Sequence, residues 1–292
     1  MIFVTGASGF LGKYVVNELL KCNEKIRCFS NSIGNLPKNN RIEIVIGDIR
    51  DKEAVNKYVK GAKYIVHLAA ALNPYITGDL YEVNIKGTKN LVDAAKKYKI
   101  KKFIFVSSEG AVQQFDEYGK SKMKAESIVK SLKNYVIIRP TVIYGAGDRK
   151  NISKLIKIVK NSPFVPLFKN GNNKLQPVYA GDVAAAIKNA LSMGKGTYFA
   201  AGKEPLSLNE IITVIESCLG IKRRIRIRIN LKLIKIVVAL MRFYKGKMIS
   251  PNLISPNIIE YFSKDQIYDI SKTIKELNYK PLSFYEGIKK SI

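Results

Sequence analysis

Short, continuous apolar runs alternate with longer segments that carry apolar residues at helical spacing through the first half of the chain. The apolar runs predict strands near residues 2–5, 26–30, 42–46, 64–68, 103–107 and 136–138. The segments between them predict helices near residues 11–22, 52–60, 80–98 and 118–133. Continuous apolar strands that alternate with helices are typical of a parallel sheet covered on both faces. The pattern therefore predicts an α/β fold with a doubly wound parallel sheet.

This regularity weakens after Tyr144. An apolar helix pattern and a Pro-, Gly- and Asn-rich stretch follow, and a helix near 178–191 and a strand near 196–201 then return to the earlier pattern. We expect a first domain over 1–148 with return segments near 176–201, and a smaller, mostly helical C-terminal lobe over 149–175 and 202–292. The most apolar segment, 231–241, contains two lysines and is too short to span a bilayer, so we expect a buried or interface helix there.

Three glycines follow the first strand at a spacing of three. Gly6 allows a tight turn, Gly9 allows the backbone to approach a phosphate, and Gly12 allows the helix to lie close to the sheet. The helix N-terminus then offers free N–H groups to an anion. This arrangement predicts dinucleotide binding by a Rossmann domain over 1–148, with a simple tight strand–helix turn as the alternative.

The formal net charge of +27 favours anionic partners. The lysines are nevertheless spread along the chain and no folded nucleic-acid motif is present, so we interpret most of them as solvated surface and expect no nucleic-acid partner. Residues 224–229 alternate Arg and Ile, which predicts a strand with one basic face. We favour a solvated edge strand, with a wall of an anionic-substrate site or a subunit contact as the alternative.

Cysteine and histidine usage narrows the chemistry further. Cys22, Cys28 and Cys218 have no paired or metal-like spacing, and no signal peptide pattern opens the chain, which favours a reducing cytoplasm. His67 is the only histidine and lies in an apolar run, so we expect a structural role for it and no metal site.

A candidate proton-transfer pair lies at the start of a predicted helix. Tyr118 and Lys122 are four residues apart and therefore share one helix face. A lysine ammonium beside a phenol is expected to lower the tyrosine pKa toward neutrality. Ser108 follows a predicted strand and is our candidate for polarising the substrate oxygen, with Ser107 as the second choice. An ordinary amphipathic Tyr/Lys pair is the alternative interpretation.

These motifs together resemble an extended short-chain dehydrogenase/reductase of the NAD-dependent epimerase/dehydratase type. The resemblance runs over nearly the whole chain and rests on motifs in the family's order, at residues 5–12, 47–48, 67–70, 84–91, 107–108, 118–122, 139–140, 144–145, 178–179 and 182–184. It implies a Rossmann domain with a substrate-binding C-terminal lobe, a small-molecule substrate and NAD(P). The family commonly dimerises through the helices near 80–98 and 118–133, so a homodimer is one option.

The resemblance also implies a role for individual residues. The implied catalytic residues are Ser108, Tyr118 and Lys122, with Tyr118 as the acid/base and Lys122 on the nicotinamide ribose. The implied cofactor-binding residues are Gly6, Ser8, Gly9, Phe10, Leu11, Gly12, Ser30, Asn31, Asp48, Ile49, Leu68, Ala69, Ala70, Asn84, Ser107, Tyr118, Lys122 and Pro140. The implied substrate-binding residues are Ala71, Ser108, Thr141 and Arg149.

Some positions depart from the family pattern. The second strand ends in Ser30 and Asn31 where many NAD enzymes place a carboxylate, and Arg27 is close in sequence, so NADP is open and the cofactor is written NAD(P). Leu175 stands where sugar-nucleotide epimerases often have a diphosphate-binding arginine; Lys174, Arg149 or the basic strand are substitutes. This stretch also resembles atypical members related to a complex I accessory subunit.

We therefore expect an NAD(P)-dependent epimerase or reductase acting on a secondary alcohol or ketone, in first place the hexose of a nucleotide sugar. An NADPH-dependent reductase of a non-nucleotide ketone is the second hypothesis. An NADPH-binding scaffold subunit without turnover is the third.

Overall fold

The fold is described from a computed structural model, which describes residues 1–34, 36–72, 79–168, 170–229 and 264–292. The apolar segment 231–241 lies outside the described residues. The strands are β1 (Ile2–Thr5), β2 (Ile26–Ser30), β3 (Ile42–Ile46), β4 (Tyr64–His67), β5 (Lys102–Val106), β6 (Tyr135–Pro140), β7 (Ile143–Tyr144), β8 (Phe164–Phe168), β9 (Lys174–Leu175), β10 (Val178–Tyr179), β11 (Gly196–Ala200), β12 (Leu206–Ser207) and β13 (Ile225–Ile229).

Helices separate most of these strands. They are α1 (Phe10–Leu19), α2 (Lys52–Val59), α3 (Thr88–Lys97), α4 (Gly110–Gln113), α5 (Glu117–Val129), α6 (Asn151–Asn161), α7 (Ala180–Asn189), α8 (Leu208–Leu219), α9 (Ser271–Leu277) and α10 (Phe284–Lys289). A π-helical segment, Tyr81–Gly87, leads directly into α3. No helix in the described part of the chain is long and apolar enough to cross a membrane.

The chain divides into two compact units. The first contains Met1–Ile143, Val178–Ala201 and Asp269–Pro281, and the second contains Tyr144–Pro177, Gly202–Tyr268 and Leu282–Ile292. The sequence predicts the segment Asp269–Pro281 in the C-terminal lobe, whereas it lies in the first unit. There the Thr273 hydroxyl donates to the Phe199 carbonyl of β11 at 2.7 Å, and this bond joins α9 to the edge of the sheet.

The first unit is built on a seven-stranded parallel sheet in the order β3-β2-β1-β4-β5-β6-β11. This confirms the predicted doubly wound α/β fold. Apolar side chains of the central strands, such as Phe3, Ile65 and Phe105, are buried against α3 and α5. The strand order reverses between β1 and β4, and ligands of such sheets bind in the crevice at the carboxyl ends of the strands on either side of that reversal.

The described part of the second unit combines helices with short two-stranded sheets. β8 pairs with β13 in parallel, and β9 pairs with β12 in antiparallel orientation. α8 begins at a capping box, in which Ser207 and Glu210 satisfy each other's backbone N–H groups, and it ends at Gly220 with φ of +64°.

Candidate active site

The turn from β1 into α1 forms the first wall of the candidate site. Gly6 has φ of +72°, and a Cβ at this position would lie 2.5 Å from the backbone nitrogen of Ala69. Only glycine therefore fits at position 6, where the chain leaves β1 beside the loop that follows β4. α1 starts after Gly9, with no side-chain cap and no acidic residue in its first turn. Its N–H groups and positive dipole end are available to an anion.

A cavity of about 630 Å³ extends from this turn along the carboxyl ends of the strands, and residues of the first unit line it. The predicted site residues that line it are Gly6, Ser8, Gly9, Phe10, Leu11, Gly12, Ser30, Asn31, Asp48, Ile49, Leu68, Ala69, Ala70, Ala71, Ser107, Ser108, Tyr118, Lys122, Pro140 and Thr141. Most residues that the sequence predicted separately thus meet in one place. Asn84 and Arg149 are not among the lining residues.

Neutral hydroxyls gather at the end of β2. The Ser8 and Ser30 hydroxyls are 2.7 Å apart, and Ser32 donates to Ser8 at 3.2 Å. Arg27 is engaged elsewhere: its guanidinium donates to Glu43 at 2.8 Å and to the Tyr58 carbonyl at 2.7 Å. Arg27 therefore gives no support to a preference for a 2′-phosphate, although the hydroxyl cluster contains no carboxylate that would repel one.

Asp48 and Arg50 line the cavity together after β3. The Arg50 guanidinium donates two hydrogen bonds to Oδ2 of Asp48, one from Nη2 at 2.5 Å and one from Nε at 2.9 Å. This hydrogen bond with Arg50 holds the pKa of Asp48 below its usual range. Sequence reasoning found Asp48 and overlooked Arg50, whose position two residues further along was the available signal.

Tyr118 lies in the first turn of α5, which is capped by Asp116 through a 2.7 Å bond from the Gly119 N–H. Its phenol hydrogen-bonds with Ser108. Burial and the negative charge of Asp116 raise the pKa of Tyr118 to about 12, against a lowering by the Ser108 bond. The expectation that Lys122 lowers the pKa of Tyr118 toward neutrality is therefore wrong for this structure.

Lys122 is almost fully buried one helical turn further along α5. Its Nζ donates to the Val106 carbonyl at 2.7 Å and lies 4.2 Å from the centre of the Phe105 ring. Burial lowers the pKa of Lys122 to about 7, and the nearby Glu126 carboxylate acts in the opposite direction. The causes of the raised Tyr118 pKa are burial and Asp116, with no lowering contribution from Lys122.

The two serines after β5 have different environments. Ser107 is buried, and its hydroxyl donates to Glu126 at 2.6 Å. Ser108 accepts from the Gly110 N–H at 3.1 Å and contacts Tyr118. The structure thus brings Ser108 to the phenol and commits Ser107 to a buried carboxylate.

Asn84 braces the site without lining it. Its side chain accepts from the Ala71 N–H at 2.8 Å and donates to the Ala71 carbonyl at 2.9 Å and to Ser121 at 2.9 Å. Ser121 donates in turn to the Tyr118 carbonyl at 2.7 Å. Asn84 therefore ties the loop after β4 to the helix that carries Tyr118, and the π-helical turn places it there.

His67 joins the glycine turn to the same brace. Its Nδ1 lies 2.8 Å from the Thr5 hydroxyl, and its Nε2 lies 2.9 Å from the Thr88 hydroxyl. Thr88 donates to the Asn84 carbonyl at 2.7 Å, so Nε2 must carry the proton and Nδ1 must accept from Thr5. Burial and the Lys122 charge lower the pKa of His67 well below its usual range. These contacts give the histidine a structural position, and it is fully buried.

The basic strand β13 in the second unit has the opposite orientation to that expected. Arg226 donates to Thr213 at 2.7 Å and pairs with the buried Glu216 at 3.3 Å, and Arg224 donates to the Val159 carbonyl at 2.9 Å. The expected solvated basic face is therefore wrong for Arg224 and Arg226, because these two arginines bind α6 and α8 while Ile225 and Ile227 face outward; Arg228 is exposed. The same bonds leave Arg224 and Arg226 unsuited to the alternative, a wall for an anionic substrate. Arg149 is exposed in this unit, and its role stays a prediction.

A match to a family model identifies the family of the chain. The model of the NAD dependent epimerase/dehydratase family matches residues 2–202. The chain belongs to this family.

Individual relatives agree with the assignment. A protein of Methanocaldococcus jannaschii named "Putative UDP-glucose 4-epimerase" is 33% identical over 262 residues, covering 76% of this chain and 83% of that protein. The N-acetyl-alpha-D-glucosaminyl-diphospho-ditrans,octacis-undecaprenol 4-epimerase of Escherichia coli O157:H7 is 30% identical over 250 residues, covering 76% of this chain and 73% of that protein.

Two further similarities bear on the earlier expectations. A mitochondrial NADH dehydrogenase [ubiquinone] 1 alpha subcomplex subunit 9 of Dictyostelium discoideum is 26% identical over 291 residues, covering 94% of this chain and 79% of that protein. The crystal structure of a UDP-glucose 4-epimerase from Thermotoga maritima with UDP-glucose superposes with a TM-score of 0.76 at 21% identity, covering 99% of this chain and 96% of that chain. The predicted family, including its complex I relatives, is thus confirmed, and so is the fold.

The cavity fits the dinucleotide that the family name implies. The Gly6 turn leaves room that any Cβ would fill, the α1 N-terminus faces the same space with no acidic residue in its first turn, and the crevice lies at the reversal of strand order. NAD(P) as the cofactor is therefore confirmed for this member of the family.

Proposed function

We propose that this chain is an NAD(P)-dependent epimerase or reductase that acts on the hexose of a nucleotide sugar through a secondary alcohol and its ketone. The observation that carries the proposal is the hydrogen bond between Tyr118 and Ser108, inside the cavity that begins at the Gly6 turn. The Tyr118 phenol and the Ser108 hydroxyl lie at the carboxyl ends of the parallel strands. Sheets of this kind bind their ligands at that edge.

The cofactor and the side chains divide the work. A bound nicotinamide supplies hydride acceptance and donation. The Gly6–Gly12 turn would hold the pyrophosphate, Asp48 and Ile49 the adenine end, and Lys122 the nicotinamide ribose. Ser108 orients the reacting oxygen, because its hydroxyl is already placed beside the Tyr118 phenol.

Tyr118 acts as the general acid and base. With a pKa near 12 the phenol is protonated at neutral pH, so it is ready to donate to a carbonyl oxygen as the ketone is reduced. Oxidation of a substrate alcohol runs in reverse from the phenolate form of Tyr118, which accepts the proton of the substrate hydroxyl. If the ketone turns before it is reduced, the product is an epimer; otherwise the result is net oxidation or reduction. Dehydration would need a separate acid beside Ser108. Its sequence neighbour Glu109 is the one candidate, and we propose epimerisation or reduction in preference to dehydration.

The relatives support a sugar joined to a diphosphate. The names of two proteins at least 30% identical specify a UDP-glucose epimerase and an epimerase of a sugar diphosphate on undecaprenol. A polyprenol-linked sugar diphosphate is therefore the second substrate class that we propose. Both classes place a hexose and a diphosphate in reach of the same site.

A substrate screen tests the proposal directly. The full chain is incubated with NAD or NADP and with UDP-, GDP- or dTDP-hexoses or a short-chain polyprenyl diphosphate sugar, and the product sugar is identified by NMR. Tyr118→Phe should lower turnover by about 10³-fold or more and leave NADH binding unchanged. Tyr98→Phe is the matched control, because this substitution also removes a phenol hydroxyl and Tyr98 does not line the cavity.

The outcomes separate the alternatives. Bound cofactor with no turnover of any sugar or ketone would favour the scaffold hypothesis, and turnover of steroid-like ketones alone would favour the non-nucleotide reductase. Full activity in Tyr118→Phe would refute the assigned role. We further propose a cytoplasmic location, because the three cysteines are free, and a homodimer as the assembly to test by sedimentation.

A further inference from the structure

The β8/β13 sheet in the second unit has an outward apolar face. Ile225 is 59% exposed and Ile227 is 45% exposed on β13, and their register partners on β8 are Phe164, which is 47% exposed, and the exposed Pro166. Register partners in a parallel pair point to the same side of the sheet. These residues therefore form one continuous apolar face, defined here by Phe164, Pro166, Ile225 and Ile227.

The orientation of this face is imposed by buried polar contacts. A shift of β13 by one residue would bury its isoleucines and expose its arginines, as hydrophobicity alone favours. Instead, the largely buried Arg226 side chain packs against Glu216 and Thr213, and its Nε has no hydrogen-bond partner among the described residues. Burying an arginine in this way is costly. The chain thus places aliphatic side chains outward at a cost to its stability.

The surroundings of the face are cationic. No Asp or Glu occurs in the sequence between Asp148 and Asp182 or between Glu216 and Glu260, and these are the two segments that supply β8 and β13. Exposed cations that form no ion pair within the described part of the chain occur in both segments: Lys160 near the end of α6, and Lys222 and Arg223 just before β13.

We propose that this face binds the surface of an anionic lipid bilayer. Ile225, Ile227 and Phe164 enter the headgroup boundary, and the flanking lysines and arginines contact the anionic headgroups. Exposed aliphatic groups surrounded by unpaired cations match a bilayer surface, which offers an apolar boundary beneath a negative layer. An acidic protein surface would satisfy the cations and leave the aliphatic row in contact with polar groups. The proposal does not rest on the proposed catalytic function.

Vesicle binding tests this surface. The full chain is co-sedimented with vesicles of phosphatidylcholine alone or of equal parts phosphatidylglycerol and phosphatidylcholine. We expect binding to the anionic vesicles that falls as salt is raised, because the cations act through a screened charge interaction. Ile225→Ser with Ile227→Ser should weaken binding about tenfold. Ile44→Ser with Ile46→Ser is the matched control, since these isoleucines are 41% and 54% exposed on the edge strand β3, and it should bind as the parent does.

Each outcome decides the matter. Equal loss in the β13 and β3 variants, or equal binding to both kinds of vesicle, overturns the proposal. Dimerisation that the β13 variant abolishes, without vesicle binding by the parent, assigns the face to a second copy and overturns it as well. If circular dichroism shows that the β13 variant is unfolded, Lys222→Gln with Arg223→Gln takes its place. This double substitution of exposed cations must then reduce binding to anionic vesicles, or the proposal fails.

Discussion

Glu126 accepts two hydrogen bonds from the guanidinium of Arg139, at 2.8 and 2.6 Å, one helical turn beyond Lys122. The carboxylate is fully buried and also accepts from Ser107 at 2.6 Å. This bidentate pair ties the helix that carries Tyr118 and Lys122 to the ends of β5 and β6. Its signal in the sequence was the position of Glu126, four residues after Lys122, and sequence reasoning overlooked it.

Glu126→Gln should destabilise the protein by about 3 kcal/mol, because it leaves the guanidinium of Arg139 without a counter-charge in a largely buried position. It should also lower the pKa of Lys122 below about 7, since the carboxylate raises that pKa at present. Urea unfolding measures the first effect, and the pH profile of kcat measures the second.

Two companion variants give this experiment its controls. Glu82→Gln breaks an exposed ion pair with Lys86 and should cost less than about 1 kcal/mol. Arg139→Met added to Glu126→Gln removes the unpaired charge and should restore part of the lost stability. A single variant as stable as the parent would mean that the pair does not anchor the helix.

Gly6→Ala should weaken cofactor binding about tenfold or more. The new methyl group would lie 2.5 Å from the backbone nitrogen of Ala69, so β1 and β4 would have to separate at the crevice. Titration calorimetry with NADH measures the effect. Gly61→Ala is the matched control: Gly61 also has a positive φ, +82°, but a Cβ there meets no atom within 4 Å. Its cost should be limited to backbone strain of about 1–2 kcal/mol, and a similar loss of NADH affinity in both variants would contradict the clash.

The comparison of sequence with structure has a physical explanation at each point. The strands of the central sheet were predictable because most are short, mainly apolar runs, and the turn at Gly6 was predictable because no other residue tolerates it. The π-helical segment Tyr81–Gly87 was not, since seven residues are too few for their apolar spacing to distinguish i→i+5 from i→i+4 hydrogen bonding. Alternation in β13 identified two faces without indicating which is buried. The pKa of Lys122 depends on burial, which only the packed structure determines.

The protein should discriminate only weakly between NADH and NADPH. The end of β2 offers neutral side chains, Arg27 within β2 is bonded to Glu43 and Tyr58, and Arg50, which lines the cavity, is bonded to Asp48. We therefore expect NADH and NADPH to bind with affinities within about tenfold of each other. A large preference for NADH in the parent protein would reverse this expectation.

Asn31→Asp probes the same position. It introduces a carboxylate at the lip of the cavity and should weaken NADPH binding about tenfold with little effect on NADH, because the new charge repels a 2′-phosphate. Asn17→Asp makes the same change of charge on the exposed side of α1 and should leave both affinities as they were. Equal weakening of NADPH by the two variants would indicate a general charge effect.

Lys122 should make the protein more stable as pH rises. The pKa of its buried ammonium is about 7 in the folded chain against about 10.5 when unfolded, so between these values the unfolded chain binds more protons. Unfolding then becomes harder with rising pH, by about 4 kcal/mol between pH 7 and pH 10. The gain stops near pH 10, because the pKa of Tyr118 is raised to about 12 and its contribution to stability is lost at higher pH. Lys122→Met should flatten this rise in chemical unfolding experiments, and Lys120→Met, on the exposed side of the same helix, should retain it. An unchanged slope in Lys122→Met would show that the ammonium is not buried beside Phe105 and Val106 in solution.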